Sequence, residues 1–97
     1  MFDLYWSDAA KESFNRLKAD KSKKKQYNAV KKNLRLLANN PKHPSLQTHE
    51  FMSLKGPKGE KVFEAYAQQK TAAAYRVFWY YGPSKGVITI LAITPHP

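Results

Sequence analysis

The chain has no cysteine. That excludes a disulfide framework and any thiolate metal site. Acids are scarce: seven Asp and Glu stand against seventeen Lys and Arg, a formal net charge of +10. So few carboxylates leave little for internal neutralisation and turn attention outward, to polyanions or an acidic protein. Long apolar runs are missing as well, since no segment approaches the roughly 18 residues of a membrane span. The opening stretch Met1-Phe2-Asp3-Leu4-Tyr5-Trp6-Ser7-Asp8 lacks the basic start and apolar run of a secretory signal. A soluble cytoplasmic protein is the expectation. The glycine-lysine stretch Leu54 to Lys61 lacks the GxxxxGK[ST] spacing of a P-loop, so it reads as a basic loop with an open backbone.

What is present describes one domain over residues 1–97, with 42% hydrophobic and 13% aromatic residues. Phe2, Leu4 and Trp6 alternate as a short strand. Ser7 or Asp8 then supplies an N-cap for a helix to about Ala19, with Ala10, Phe14 and Leu17 as its apolar stripe. Lys21 to Lys25 separates it from a second helix carrying Tyr27, Val30, Leu34 and Leu37 and ending at Asn39-Asn40-Pro41. Residues 42 to 60 lose periodicity and are marked as loop by prolines and glycines. Strands follow over Val62 to Gln68, Thr71 to Tyr81 and Val87 to Thr94, with Gly82 to Gly86 as the last hairpin turn. The order β-α-α-β-β-β predicts an α+β fold: a twisted, mainly antiparallel four-stranded sheet with a helical hairpin on one face.

Arg76 stands out. It sits in the apolar run from Ala72 to Tyr81, and alternation puts it on one face with Ala74, Phe78 and Tyr80. A guanidinium is effectively always charged, so either an external anion meets it or a carboxylate waits there, Glu64 on the neighbouring strand being the internal candidate. The scarcity of acids favours the external anion. A second feature is the belt Lys21, Lys23, Lys24, Lys25, Lys31, Lys32, Arg35 and Lys42, a stretch without one acid. One sign of charge focuses a field that attracts phosphate, although a solvated helix face is the plainer reading. Lys55, Lys58, Lys61 and Lys85 add cations in the loops. His96 lies in a proline-stiffened tail and could move a proton near neutral pH. His43 and His49 fall in the irregular loop without metal-ligand spacing, and no cofactor is expected.

These residues, in this order, resemble the RelE/ParE superfamily of bacterial toxins. The resemblance rests on the basic helical hairpin ending Leu36-Leu37-Ala38-Asn39-Asn40-Pro41, and on Leu54-Lys55-Gly56. It continues through Val62-Phe63-Glu64-Ala65-Tyr66, Ala74-Tyr75-Arg76-Val77-Phe78-Trp79 and Ile88-Thr89-Ile90-Leu91-Ala92-Ile93 to His96. It implies a microbial-ribonuclease-like fold and metal-independent, ribosome-dependent cleavage of mRNA, in which a ribose 2′-hydroxyl attacks the adjacent phosphate. On that basis Arg76 would hold the phosphate and His96 would protonate the leaving oxygen. Lys58, Lys61 or Glu64 would serve as base or charge stabiliser. The belt, with Lys55 and Lys85, would dock on ribosomal RNA. The sequence departs from some relatives in having Glu64, and no basic residue, within Val62 to Gln68. A cognate antitoxin is the implied partner. The other branch of the superfamily implies a non-enzymatic inhibitor of DNA gyrase, and a degenerate member would bind only its antitoxin.

Overall fold

Ser7 sets where the first helix begins. Its backbone is extended and its Oγ accepts the N–H of Ala10 at 3.0 Å. One of the donors left free by the first helical turn is thereby satisfied. The same hydroxyl donates to the carbonyl of Leu91 at 2.7 Å, so the cap also fastens the helix to the last strand. Ser7→Ala is expected to cost about 1–2 kcal/mol of stability, read as a lower urea midpoint. An unchanged midpoint would show that water replaces the hydroxyl at no cost.

A computed structural model describes residues 1–68 and 74–95. The elements are β1 (Asp3–Trp6), α1 (Asp8–Ala19), α2 (Lys24–Asn39), β2 (His49–Lys55), β3 (Lys61–Tyr66), β4 (Tyr75–Tyr81) and β5 (Val87–Pro95). Short 3-10 turns occupy Lys21–Lys23 and Pro44–Leu46. Lys24 and Lys25, read from sequence as part of the link, are thus the first residues of α2. Asp20 anchors the turn before it, accepting the N–H of Ser22 at 3.0 Å and its hydroxyl at 2.6 Å. Those bonds hold the Asp20 carboxyl below the ordinary aspartate range.

The sheet is five-stranded in the order β1-β5-β4-β3-β2, with β1 parallel to β5 and the other pairs antiparallel. The expected α+β class holds, with one strand more than the sequence predicts. The added strand, β2, lies inside the stretch expected to be loop. Its apolar residues Phe51, Met52 and Leu54 fall on both faces, so no alternation marks it. Its pairing with β3 also breaks register between Glu50 and Lys55.

One face of the sheet packs against the helices. Ala10 and Leu17 of α1, Val30, Leu34 and Leu37 of α2, and Val77, Trp79, Ile88, Ile90 and Ile93 of the sheet form this core. Asn33 of α2 is buried with them and donates Nδ2–H to the carbonyl of Tyr66 at 3.0 Å, pinning the helix to the end of β3. Among the described residues no helix covers the opposite face. A smaller apolar cluster forms there from Val62, Phe78 and Tyr80, with Phe51 set edge-on to Phe78 at 4.9 Å between ring centroids. Across the last hairpin, Gly82 and Gly86 adopt φ of +118° and +81°, which side chains disfavour, and Gly82 N–H donates to Val87 at 2.8 Å.

Candidate functional site

Alternation along β3 places Val62, Glu64 and Tyr66 on the face away from the helices. Register puts Glu64 opposite both Phe78 of β4 and His49 of β2, while Tyr66 stands opposite Arg76. Glu64 and Arg76 are therefore diagonal neighbours, a relation that long side chains bridge easily. Arg76 Nη1 donates to Glu64 Oε2, and the two side chains are 13% and 2% exposed. On the other oxygen, His49 Nε2 lies 2.7 Å from Glu64 Oε1. One buried carboxylate thus holds an arginine on one side and a histidine on the other.

The histidine is the accessible member of the group, with 48% of its side chain exposed. Its second nitrogen, Nδ1, faces the carbonyl of Gln47 at 3.2 Å. A carbonyl and a carboxylate only accept, so each ring nitrogen has an acceptor to donate to when it carries a proton. Gln47 presents that carbonyl from a left-handed conformation (φ +47°), which is costly for a residue with a Cβ.

Tyr66 completes the cluster. Its ring centroid lies 5.6 Å from that of His49 and 5.7 Å from the guanidinium carbon of Arg76. The aromatic face is a favourable floor for a cation. Arg76 Nε is buried and finds no acceptor among the described residues. The assembly sets a guanidinium beside an imidazole held by the same carboxylate. Such a pair can bind an oxyanion and, when the imidazole is protonated, pass it a proton.

No protein-family profile and no curated protein matches the chain. Solved structures do. The YoeB/ParE toxin from Agrobacterium tumefaciens aligns over 100% of both chains with a TM-score of 0.70 and 11% sequence identity. A chain of the YoeB-YefM complex from Staphylococcus aureus gives 0.68 over 100% of this chain and 99% of that one, at 13% identity. A chain of the archaeal RelE-RelB complex from Pyrococcus horikoshii gives 0.64 over 97% and 93%, at 16% identity. The fold is that of the RelE, YoeB and ParE toxins.

Within this RelE-like fold the sequence candidates separate. Arg76 and Glu64 come together, so the internal candidate carboxylate is a partner of Arg76. Both Glu64 oxygens are engaged and its side chain is almost wholly enclosed, which leaves little access for a substrate hydroxyl in the general-base role considered from sequence. Lys61 shares the helix-side face with Phe63, and exposed Lys58 sits in the β2–β3 turn with its backbone N–H on Glu60 Oε1 at 2.8 Å. Neither lysine joins the cluster. His96 lies outside the described residues. Lys21, Lys23, Lys24, Lys25, Lys31, Lys32 and Arg35 are all exposed, on or before α2, and so occupy the side of the molecule opposite the cluster. Lys55 and Lys85 are exposed at the end of β2 and in the last hairpin turn. His49 is the residue that sequence reasoning passed over. Its signal was indirect: recognising β2 would have placed it beside Glu64.

Proposed function

We propose that this chain is the toxin of a toxin–antitoxin module and a metal-independent endoribonuclease acting on ribosome-bound mRNA. The observation that carries the reading is the His49–Glu64–Arg76 cluster on the sheet face that the helices leave open. Arg76 would take the non-bridging oxygens of the scissile phosphate, where negative charge grows as the ribose 2′-hydroxyl attacks. His49, held by Glu64, would protonate the departing 5′-oxygen while solvent water takes the proton of the 2′-hydroxyl, leaving a 2′,3′-cyclic phosphate and a 5′-hydroxyl. Glu64 is then a positioning residue that touches no substrate. The belt from Lys21 to Arg35 faces away from the cluster, so one side could lie on ribosomal RNA while the other meets the message. The named neighbours crystallised with RelB and YefM support an antitoxin as the regular partner of this chain.

The test is induction of wild type and Arg76→Lys in a bacterial host, with mapping of mRNA 5′ ends. Lysine keeps the charge opposite Glu64 but loses the planar fork that holds a phosphate. New 5′ ends within translated regions, sharply reduced in Arg76→Lys at equal soluble yield, are the expected result. Intact transcripts with DNA damage would replace this reading by gyrase inhibition. A harmless wild type would replace it by antitoxin binding alone.

A further inference from the structure

Across the open face runs a row of three paired residues: Tyr5 of β1, Thr89 of β5 and Tyr80 of β4. Tyr5 is 52% exposed, although its neighbours Leu4 and Trp6 pack into the core. Nothing in the packing of β1 calls for an aromatic ring at that position. Along the row lies a trough of about 570 Å³, lined by Tyr5, Tyr80, Leu91, Pro57, Pro83 and Lys55 among others. That is room for a planar group of ligand size.

The trough has the chemistry of a stacking surface. Its Ser7 and Thr89 hydroxyls are already committed to the carbonyls of Leu91 and Gly82, at 2.7 and 2.8 Å. Among the described residues no carboxylate lines it. Lys55 is held only loosely, 3.9 Å from Glu50, and exposed Lys58 and Lys85 stand in the two turns that supply Pro57 and Pro83. Aromatic and proline faces ringed by cations suit the bases and phosphates of a single strand. An apolar peptide would gain little from the lysines, and the chain's +10 charge favours the polyanion.

Position decides what the trough serves. Tyr80 lies four residues along β4 from Arg76, about 13 Å at strand rise, on the same face. A strand whose scissile phosphate rests on Arg76 would reach the trough beyond the nucleotides that flank the cut. We propose that this trough is a base-stacking subsite for single-stranded RNA, with Tyr5 as the residue on which the base stacks. The assignment rests on the RNA-cleaving reading above and extends it. Because the committed hydroxyls leave few groups for base-edge hydrogen bonds, the subsite is tolerant of base identity.

The test is fluorescence anisotropy with labelled 2′-O-methyl oligonucleotides, which carry no attacking hydroxyl. Tyr5→Ala is expected to weaken binding of a hexanucleotide about tenfold, the usual effect of removing one stacking ring. Tyr5→Phe should bind as wild type, since stacking needs the ring and not the hydroxyl. A dinucleotide, too short to span both places, should compete equally well against either variant. Unchanged hexanucleotide affinity in Tyr5→Ala, with Arg76→Lys weakened, would overturn the subsite and leave the cleavage site standing. Loss of antitoxin binding in Tyr5→Ala, with oligonucleotide affinity untouched, would give the trough to a peptide instead. No binding by wild type would overturn both readings.

Discussion

Replacing Glu64 with leucine is expected to lower the stability of the fold by about 3–5 kcal/mol, because it leaves the Arg76 guanidinium enclosed without its counter-charge. A domain of this size has about 5–15 kcal/mol in all, so the variant would unfold at a much lower urea concentration and accumulate poorly. The magnitude follows from enclosure: the Glu64 and Arg76 side chains are only 2% and 13% exposed, so water screens little of what is left behind. The double variant Glu64→Leu with Arg76→Met gives the sharper result. Two apolar side chains of similar volume need no counter-charge, and replacing a whole buried pair is often neutral or stabilising. It should therefore recover most of the lost stability while cleaving no mRNA. A folded double variant that still arrests growth by cutting transcripts would make Arg76 purely structural. A single variant with the wild-type urea midpoint would show that the pair contributes nothing to folding.

That ion pair also shows where the sequence was legible and where it stopped. Alternation puts Arg76 and Glu64 on the same face of neighbouring strands, and both residues could be named from it. Which anion Arg76 meets could not be decided from composition. Seven acids in the whole chain suggest scarcity, but neutralisation is local, and a single carboxylate at the diagonal position is enough. The register that supplies it depends on strand pairing across the connection between β3 and β4, which no local pattern encodes.

Other elements follow the same division. The Ser7 cap, the stripes of both helices and the last hairpin were readable because each is set by a few adjacent residues. β2 was not, since Met52 follows Phe51 directly, so the apolar residues do not keep to one face. Losing β2 meant losing His49, because a histidine in a presumed loop has no neighbours to argue from. The basic belt was legible as charge but not as placement. Only the packing of α2 against the core side of the sheet shows that it faces away from Glu64 and Arg76.

His49 gives the second large effect, and a conservative variant separates its possible roles. His49→Ala is expected to slow cleavage by about two to four orders of magnitude, the range of a lost general acid. It should cost little stability, since the ring is half exposed and Glu64 keeps its bond to Arg76. His49→Gln is the decisive partner, because its amide can still donate to Glu64 but does not release a proton to a leaving oxygen. If His49 only props Glu64, His49→Gln will cleave as wild type; if it is the acid, His49→Gln will be as slow as His49→Ala. His96→Gln is the counter-check and should cleave as wild type. Should only His96→Gln be slow, the acid is the histidine of the tail, and the held histidine of β2 serves to fix Glu64 against Arg76.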